Sequence, residues 1–215
     1  MNEFIFFIQV LLITGFTLGA KRLGKEALTA WVSIQALIAN LFVLKQISLF
    51  GLEVTSSDAF VIGSLLGLNF LQENHGQSEA YKATKICFLL ISFFALVSQL
   101  HILYRPNAFD ISQSAFEMIL SPSLRLTAAS VAVFLIVQQI DIRLFSVIKN
   151  KWPQVPFSMR AGATLVVSQL LDTILFTFAG LYGIVESVLD IFMMSFLIKI
   201  IVITCFTACT RLAKA

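Results

Sequence analysis

Two segments of the chain repeat one pattern. QQIDIRLF, from Gln138 to Phe145, and SQLLDTILF, from Ser168 to Phe176, each contain Gln-x-x-Asp-x-x-x-Phe inside an otherwise apolar run. At 3.6 residues per turn, Gln138, Asp141 and Phe145 share one helix face, continued by Phe134, Ser130 and Thr127. Thr164, Ser168, Gln169, Asp172 and Phe176 form a similar stripe. The two segments read as consecutive antiparallel helices whose stripes face one another, so that two carboxylates, two carboxamides and two rings line one cavity. Carboxylates accept hydrogen bonds from ring or exocyclic N–H groups, glutamine both donates and accepts, and phenylalanine offers a stacking face. That chemistry fits a planar, nitrogen-rich solute. It also fits a proton or cation relay, and the bland alternative is that the two acids pair with Arg125, Arg143 or Lys199 to hold helices together.

The elements that position these residues follow from composition. Of 215 residues, 58% are hydrophobic, 21 are Phe and only 13% are charged, against roughly a quarter charged in soluble domains. Mean hydropathy is +0.91. The surrounding medium is therefore lipid. A bilayer core about 30 Å thick needs roughly 20 apolar helical residues. The sequence predicts one all-α membrane domain over 1–215, with spans near 4–20, 28–50, 57–73, 84–104, 126–148, 161–182 and 190–210. Pro106, Pro122, Pro153 and Pro156 fall in the connections. The N-terminus carries Glu3 and its apolar run ends in Gly-Ala-Lys-Arg, so no cleaved leader is expected.

Charge partition orients the spans. Lys21, Arg22, Lys25, Lys82, Lys85, Arg143, Lys149, Lys151, Arg160, Arg211 and Lys214, eleven of 15 basic residues, fall in or beside alternate connections. The other set holds Arg105, Arg125 and the acids Glu53, Asp110, Glu117, Glu186 and Asp190. Basic connections face the cytoplasm, which predicts seven helices in the inner membrane, N-terminus outside and C-terminus inside. The connection from Arg105 to Arg125 has the composition of a short amphipathic helix at the outer interface.

A charge near the bilayer centre costs about 2.5–3.5 kcal/mol on insertion scales, so Lys45, Asp58, Glu73, Arg125, Asp141, Asp172 and Lys199 each need a reason to be there. Lys199 is expected to neutralise one buried acid. Gly15-x-x-x-Gly19 and Gly63-x-x-x-Gly67 are expected to permit close helix approach. Cys87, Cys205 and Cys209 lie in apolar runs without metal-ligand spacing and read as small core residues. No phosphate loop, HExxH or Ser-His-Asp set is present, which argues against an enzyme and against a metal or other cofactor.

The run from Arg125 to Phe176 resembles the queuosine-precursor transporter family, small membrane proteins of the vitamin-uptake-transporter type. The matching residues are Arg125, Ala128, Ala129 and Ser130 opening a helix, Gln138 to Asp141 near its end with Phe145 and Lys149 after it, and Ser168, Asp172, Thr173 and Phe176 in the next helix. Asn40, Lys45, Glu73 with Gly76, and Lys199 match more weakly. The chain departs from the family in carrying Asn69 where an aspartate is usual four residues before the Glu, and His75-Gly76 in place of Tyr-Gly. The resemblance spans about residues 28–212 and makes the first helix an addition to a six-helix transporter core. It implies import of a 7-deazaguanine, either the cyano or aminomethyl precursor base or queuine. It implies a substrate site among Asp141, Asp172, Gln138, Gln169, Ser168, Phe176, Arg125, Lys199, Glu73 and Asn40. The expected partners are a nucleobase-like small molecule and the lipid bilayer, with an energising partner or a homo-oligomer compatible and nucleic acid not expected. The alternatives are a substrate-binding subunit of a multi-component uptake system and a structural membrane subunit without transport.

Overall fold

The computed structural model describes residues 1–43, 45–121, 124–181 and 188–212. Seven long helices are present: α1 (Asn2–Leu23), α2 (Lys25–Phe42), α3 (Asp58–His75), α4 (Gln77–Ile102), α6 (Leu124–Lys151), α7 (Phe157–Phe176) and α8 (Val188–Leu212). A short helix, α5 (Gln113–Leu120), interrupts them, and one π-helical turn, Thr177–Leu181, follows α7. Successive helices fold back on one another at tight joints. Gly24 and Gly76, at φ 107° and 91°, turn α1 into α2 and α3 into α4 in a backbone region that glycine enters without a Cβ penalty.

On length and composition α1, α4, α6 from Ala128 and the stretch Phe157–Ala179 suffice to cross a membrane. Their outward faces are apolar: Leu89, Phe93, Leu96 and Leu100 form a helical stripe on α4, each more than 60% exposed. Such a stripe suits the lipid that spans of this length and composition would meet. The basic joints, near residues 24, 76 and 152–156, gather at one end of the bundle, where Lys25 pairs with Glu79 at 3.4 Å. This is the basic end; the opposite one is the acidic end.

Two expectations change. The helix expected over 28–50 stops at Phe42, and the chain forms an antiparallel hairpin, β1 (Gln46–Leu49) and β2 (Leu52–Thr55). Its two-residue turn has positive φ at both Phe50 (54°) and Gly51 (80°), the primed geometry that suits hairpin twist. Lys45 accordingly sits exposed in the joint before β1, outside any helix. The hairpin is tied to the N-terminus by Asn2 donating to the Ser48 carbonyl at 3.1 Å and by the Phe50 N–H donating to Glu3 at 3.2 Å.

The expected span 57–73, one of the two shortest, is the innermost helix. Every residue of α3 from Ile62 to Gln72 is buried, and α1, α2, α4, α6, α7 and α8 all pack on it. Gly63 and Gly67 make this approach feasible. A Cβ at Gly63 would collide with the Gln35 side-chain oxygen and with Ile13, and one at Gly67 would come within 2.8 Å of Val32. Gly15 and Gly19, in contrast, have open space where a Cβ would stand, so that pair makes no close approach within the chain. Gly63→Ala is therefore expected to lower thermal stability by about 1–3 kcal/mol through overpacking, while Gly15→Ala leaves it unchanged. Thermal midpoints of the two purified variants in one detergent check this.

Candidate functional site

Polar groups inside the bundle fall into four sets. The first lies on α6 and α7 at mid-depth. Asp141 is fully buried, and its Oδ1 accepts a hydrogen bond from Ser168 Oγ at 2.7 Å, so the two stripes do meet. Its other oxygen, Oδ2, has no hydrogen-bond partner, and neither does either side-chain amide atom of Gln138 or Gln169, all three residues being at zero exposure. Gln138 lies beside the Cys87 thiol of α4.

Helix α3 contributes to the same level. Gln72 Nε2 donates to the Ile142 carbonyl at 2.9 Å and to Ser146 Oγ at 2.6 Å. Helices α3 and α6 both run from the acidic to the basic end, so one turn back along each brings Asn69 level with Gln138. Both amide atoms of Asn69 are buried and without partners, as are those of Gln35 on α2, whose side chain lies against Gly63. Buried polar groups are paired in the great majority of cases. The unpartnered atoms of Asn69, Gln138, Gln169 and Asp141 make this level the candidate site.

The second set is an ion-paired group toward the acidic end. Lys199 Nζ donates to Asp172 Oδ2 at 2.6 Å and to Thr173 Oγ1 at 3.1 Å, and lies 3.8 Å from Asp58 Oδ1. Lys199 thus neutralises a buried acid as expected. The two aspartates of the repeated pattern do not serve alike: Asp141 meets Ser168 and no cation among the described residues, whereas Asp172, one turn further along α7, is taken up by α8.

The third set closes the basic end. Arg160, only 6% exposed, grips Glu73 through Nη1 at 3.2 Å and Nη2 at 2.8 Å. Lys149 lies 3.3 Å from the same carboxylate and donates to the Glu73 carbonyl at 3.0 Å. Glu73 is therefore held in a bidentate pair joining α3, α6 and α7, away from the mid-depth cluster. Phe145 packs against Phe157, with ring centroids 5.9 Å apart, and lies under Arg160, so its ring serves this closure.

The fourth set lines a cavity of about 390 Å³ at the acidic end, between α2, α4, α5, α6 and α7. Asn40, Ser130, Phe176, Ser98 and Gln99 lie on its wall, and Asn40 Oδ1 accepts from Ser130 Oγ at 3.0 Å. Ser130 stands two turns from Gln138 along α6, and Phe176 about two turns from Gln169 along α7, so the cavity lies on the acidic-end side of the mid-depth level. The side chain of Arg125 lies outside the described residues.

The ten expected site residues therefore do not line one cavity. Gln138, Asp141 and Ser168 share the mid-depth level with Gln169; Asn40 and Phe176 belong to the cavity above; Asp172 with Lys199, and Glu73, belong to ion-paired groups. Sequence reasoning passed over Gln35, Gln72 and Arg160 as site candidates. Arg160 was counted among connection charges, though its place one turn into α7, after Pro156, is a signal of an inward position.

A family described as "Putative vitamin uptake transporter" matches residues 56–213. A Bacillus subtilis protein named "Probable queuosine precursor transporter" is 32% identical over 202 residues, covering 92% of this chain and 88% of that protein. No solved structure matches the chain.

Proposed function

The chain belongs to the vitamin uptake transporter family, a multi-pass membrane transporter and not an enzyme, and we propose that its cargo is a queuosine precursor base of the 7-deazaguanine type. The observation that carries the choice is the buried carboxylate of Asp141, one oxygen of which has no partner, on a pair of helices that also bury the unpartnered carboxamides of Gln138 and Gln169. A guanine-like base presents neighbouring N–H donors, which a carboxylate oxygen accepts, beside a carbonyl and ring nitrogens, which carboxamide N–H groups satisfy. The relative's name supports the word queuosine; the donor and acceptor inventory independently supports a base with that edge. In this reading the cavity at the acidic end is the entrance, Asn40 and Phe176 receive the base, and Asp141, Gln138, Gln169, Ser168 and Asn69 hold it.

All seven long helices cross the membrane in this proposal, α1 being added to a six-helix core, with the N-terminus outside and the C-terminus cytoplasmic. The Glu73–Arg160–Lys149 group then closes the cytoplasmic end. Single cysteines placed at Asn2 and at Ala215, in a chain with Cys87, Cys205 and Cys209 replaced by serine, are expected to label from opposite sides. Labelling from one side would make the number of crossings even.

The function is tested by uptake of labelled 7-deazaguanine bases into cells that lack their own queuosine synthesis and salvage, with and without this chain. Uptake appearing only with the chain supports the reading. Proteoliposomes containing this chain alone separate a self-sufficient carrier from a subunit needing an energising complex: uptake in cells but never in liposomes points to the complex.

A further inference from the structure

In the proposed reading the group formed by Asp58, Lys199 and Asp172 is not among the residues that hold the base, and its charges do not cancel. Two carboxylates face one ammonium, with side chains 11%, 14% and 4% exposed. The ammonium is hydrogen-bonded to Asp172 at 2.6 Å, while Asp58 at 3.8 Å is beyond hydrogen-bond distance. Among the described residues the Asp58 carboxylate accepts no hydrogen bond, although the residue is 8% exposed. Its neighbours on the two helices, Ala59, Ile62, Ile198 and Val202, are apolar and at most 1% exposed.

Among the described residues no other charge corrects the sum. On the elements packed against α3 and α8, Lys21 and Arg22 of α1, Lys25 and Glu26 of α2, Glu79, Lys82 and Lys85 of α4, Lys149 of α6, Arg160 of α7 and Arg211 of α8 lie toward the basic end, with Glu73 and His75 of α3 itself. Asp141 and the exposed Arg143 lie further down α6. Glu3 of α1 is engaged with the N-terminal amine and the Phe50 N–H. The Glu53 side chain of β2 lies outside the described residues. Among the described residues, Lys199 and Asp172 are the charges that bear on Asp58.

A buried net negative charge is relieved by binding a cation. A metal ion would have to displace the ammonium that already stands between the carboxylates, and the Thr173 hydroxyl is committed, donating to the Gln169 carbonyl at 2.8 Å and accepting from Lys199. A proton needs no such room. We propose that Asp58 is the proton-binding group that couples import of the base to an inward proton gradient, with Lys199 shared between two acids as its switch. A proton from the outer water converts the Asp58 carboxylate to a neutral carboxyl while Lys199 stays with Asp172. When Lys199 moves toward Asp58, the ammonium compensates the carboxylate and the proton leaves to the cytoplasm, one proton per cycle with no bond of the base broken. The first turn of α3 favours the anion and so favours that release.

The inference rests on the transport reading, and one set of proteoliposome measurements keeps the two apart. With an acidic exterior, wild-type protein is expected to accumulate labelled base above equilibrium and to lose the accumulation on adding a protonophore. Asp58→Asn is expected to exchange external for internal base but to stop at equilibrium. Accumulation by Asp58→Asn equal to wild type, or wild-type exchange indifferent to the gradient, overturns proton coupling while leaving transport intact. Neither exchange nor accumulation in wild type overturns transport. The proton is then read directly, as the infrared band of a neutral carboxyl that disappears on raising pH and is missing in Asp58→Asn; no such band in wild type overturns the assignment. If Asp58→Asn is not monodisperse, Asp58→Glu serves: it is expected to accumulate base with a displaced pH profile, and an unchanged profile counts against Asp58.

Discussion

Asp141→Asn is expected to bind a 7-deazaguanine base at least about tenfold more weakly than the wild-type protein while remaining folded. The geometry says why the fold survives. Asparagine keeps an oxygen for the Ser168 hydroxyl, which now donates to Asp141 Oδ1 at 2.7 Å. What changes is the other atom: the partnerless Oδ2 becomes an NH₂ that points a donor at a donor. A hydrogen bond to a charged group is worth about 1.5–3 kcal/mol, roughly one to two decades in affinity. If Asp141 were scaffold, the asparagine variant would retain wild-type affinity in its folded fraction. Asp172→Asn is the paired control, because its carboxylate is occupied by Lys199; it is expected to change stability more than affinity. Titration of both purified variants with labelled base, after a monodispersity check, decides between site and scaffold. Equal weakening in both would put the second aspartate at the base as well.

Lys199→Met is expected to cost the most stability of any single change proposed. Removing one partner of a buried pair costs about 3–5 kcal/mol because it leaves a charge uncompensated, and here two carboxylates lose their ammonium. The expected result is a collapse of folded yield in the membrane. Adding Asp172→Asn to Lys199→Met removes the stranded carboxylate nearest the lesion and is expected to restore much of that yield. A single Lys199→Met protein as stable and active as wild type would show that the pairing does not matter. Full recovery of proton-driven accumulation in the double variant would argue against Lys199 as the switch, since folding and coupling are separable in these two readouts.

Some of this was legible in the chain alone because it depends on composition and on period. A charge in an apolar run must be paired or used, so Asp141, Asp172 and Lys199 declared themselves, and a 3.6-residue period placed Gln138 and Asp141 on one face and Ser168, Gln169 and Asp172 on another. The alternation of basic connections marked the joints, and a resemblance carried by Gln138 to Asp141 and Ser168 to Phe176 agreed with the family that the comparisons show. Hydropathy failed where the partner is protein rather than lipid. Helix α3 looked like a marginal span because it is short and carries Asp58 and Asn69, yet with Gly63 and Gly67 at its close contacts it suits a helix buried from Ile62 to Gln72. It failed again at 46–55, where an apolar run hid a hairpin that turns at Phe50-Gly51.

The sequence by itself determined a lipid-embedded helical protein with two acids on neighbouring helices, because burial cost and helical period act locally on residue type. Only the tertiary structure decided that the acids divide their roles. Asp141 receives a hydroxyl from the neighbouring helix and keeps one oxygen bare, while Asp172 receives an ammonium from α8, and Glu73 is drawn away into a pair with Arg160. Which cation reaches which carboxylate depends on contacts between helices far apart in the chain, and a one-dimensional pattern does not encode a distance across the bundle.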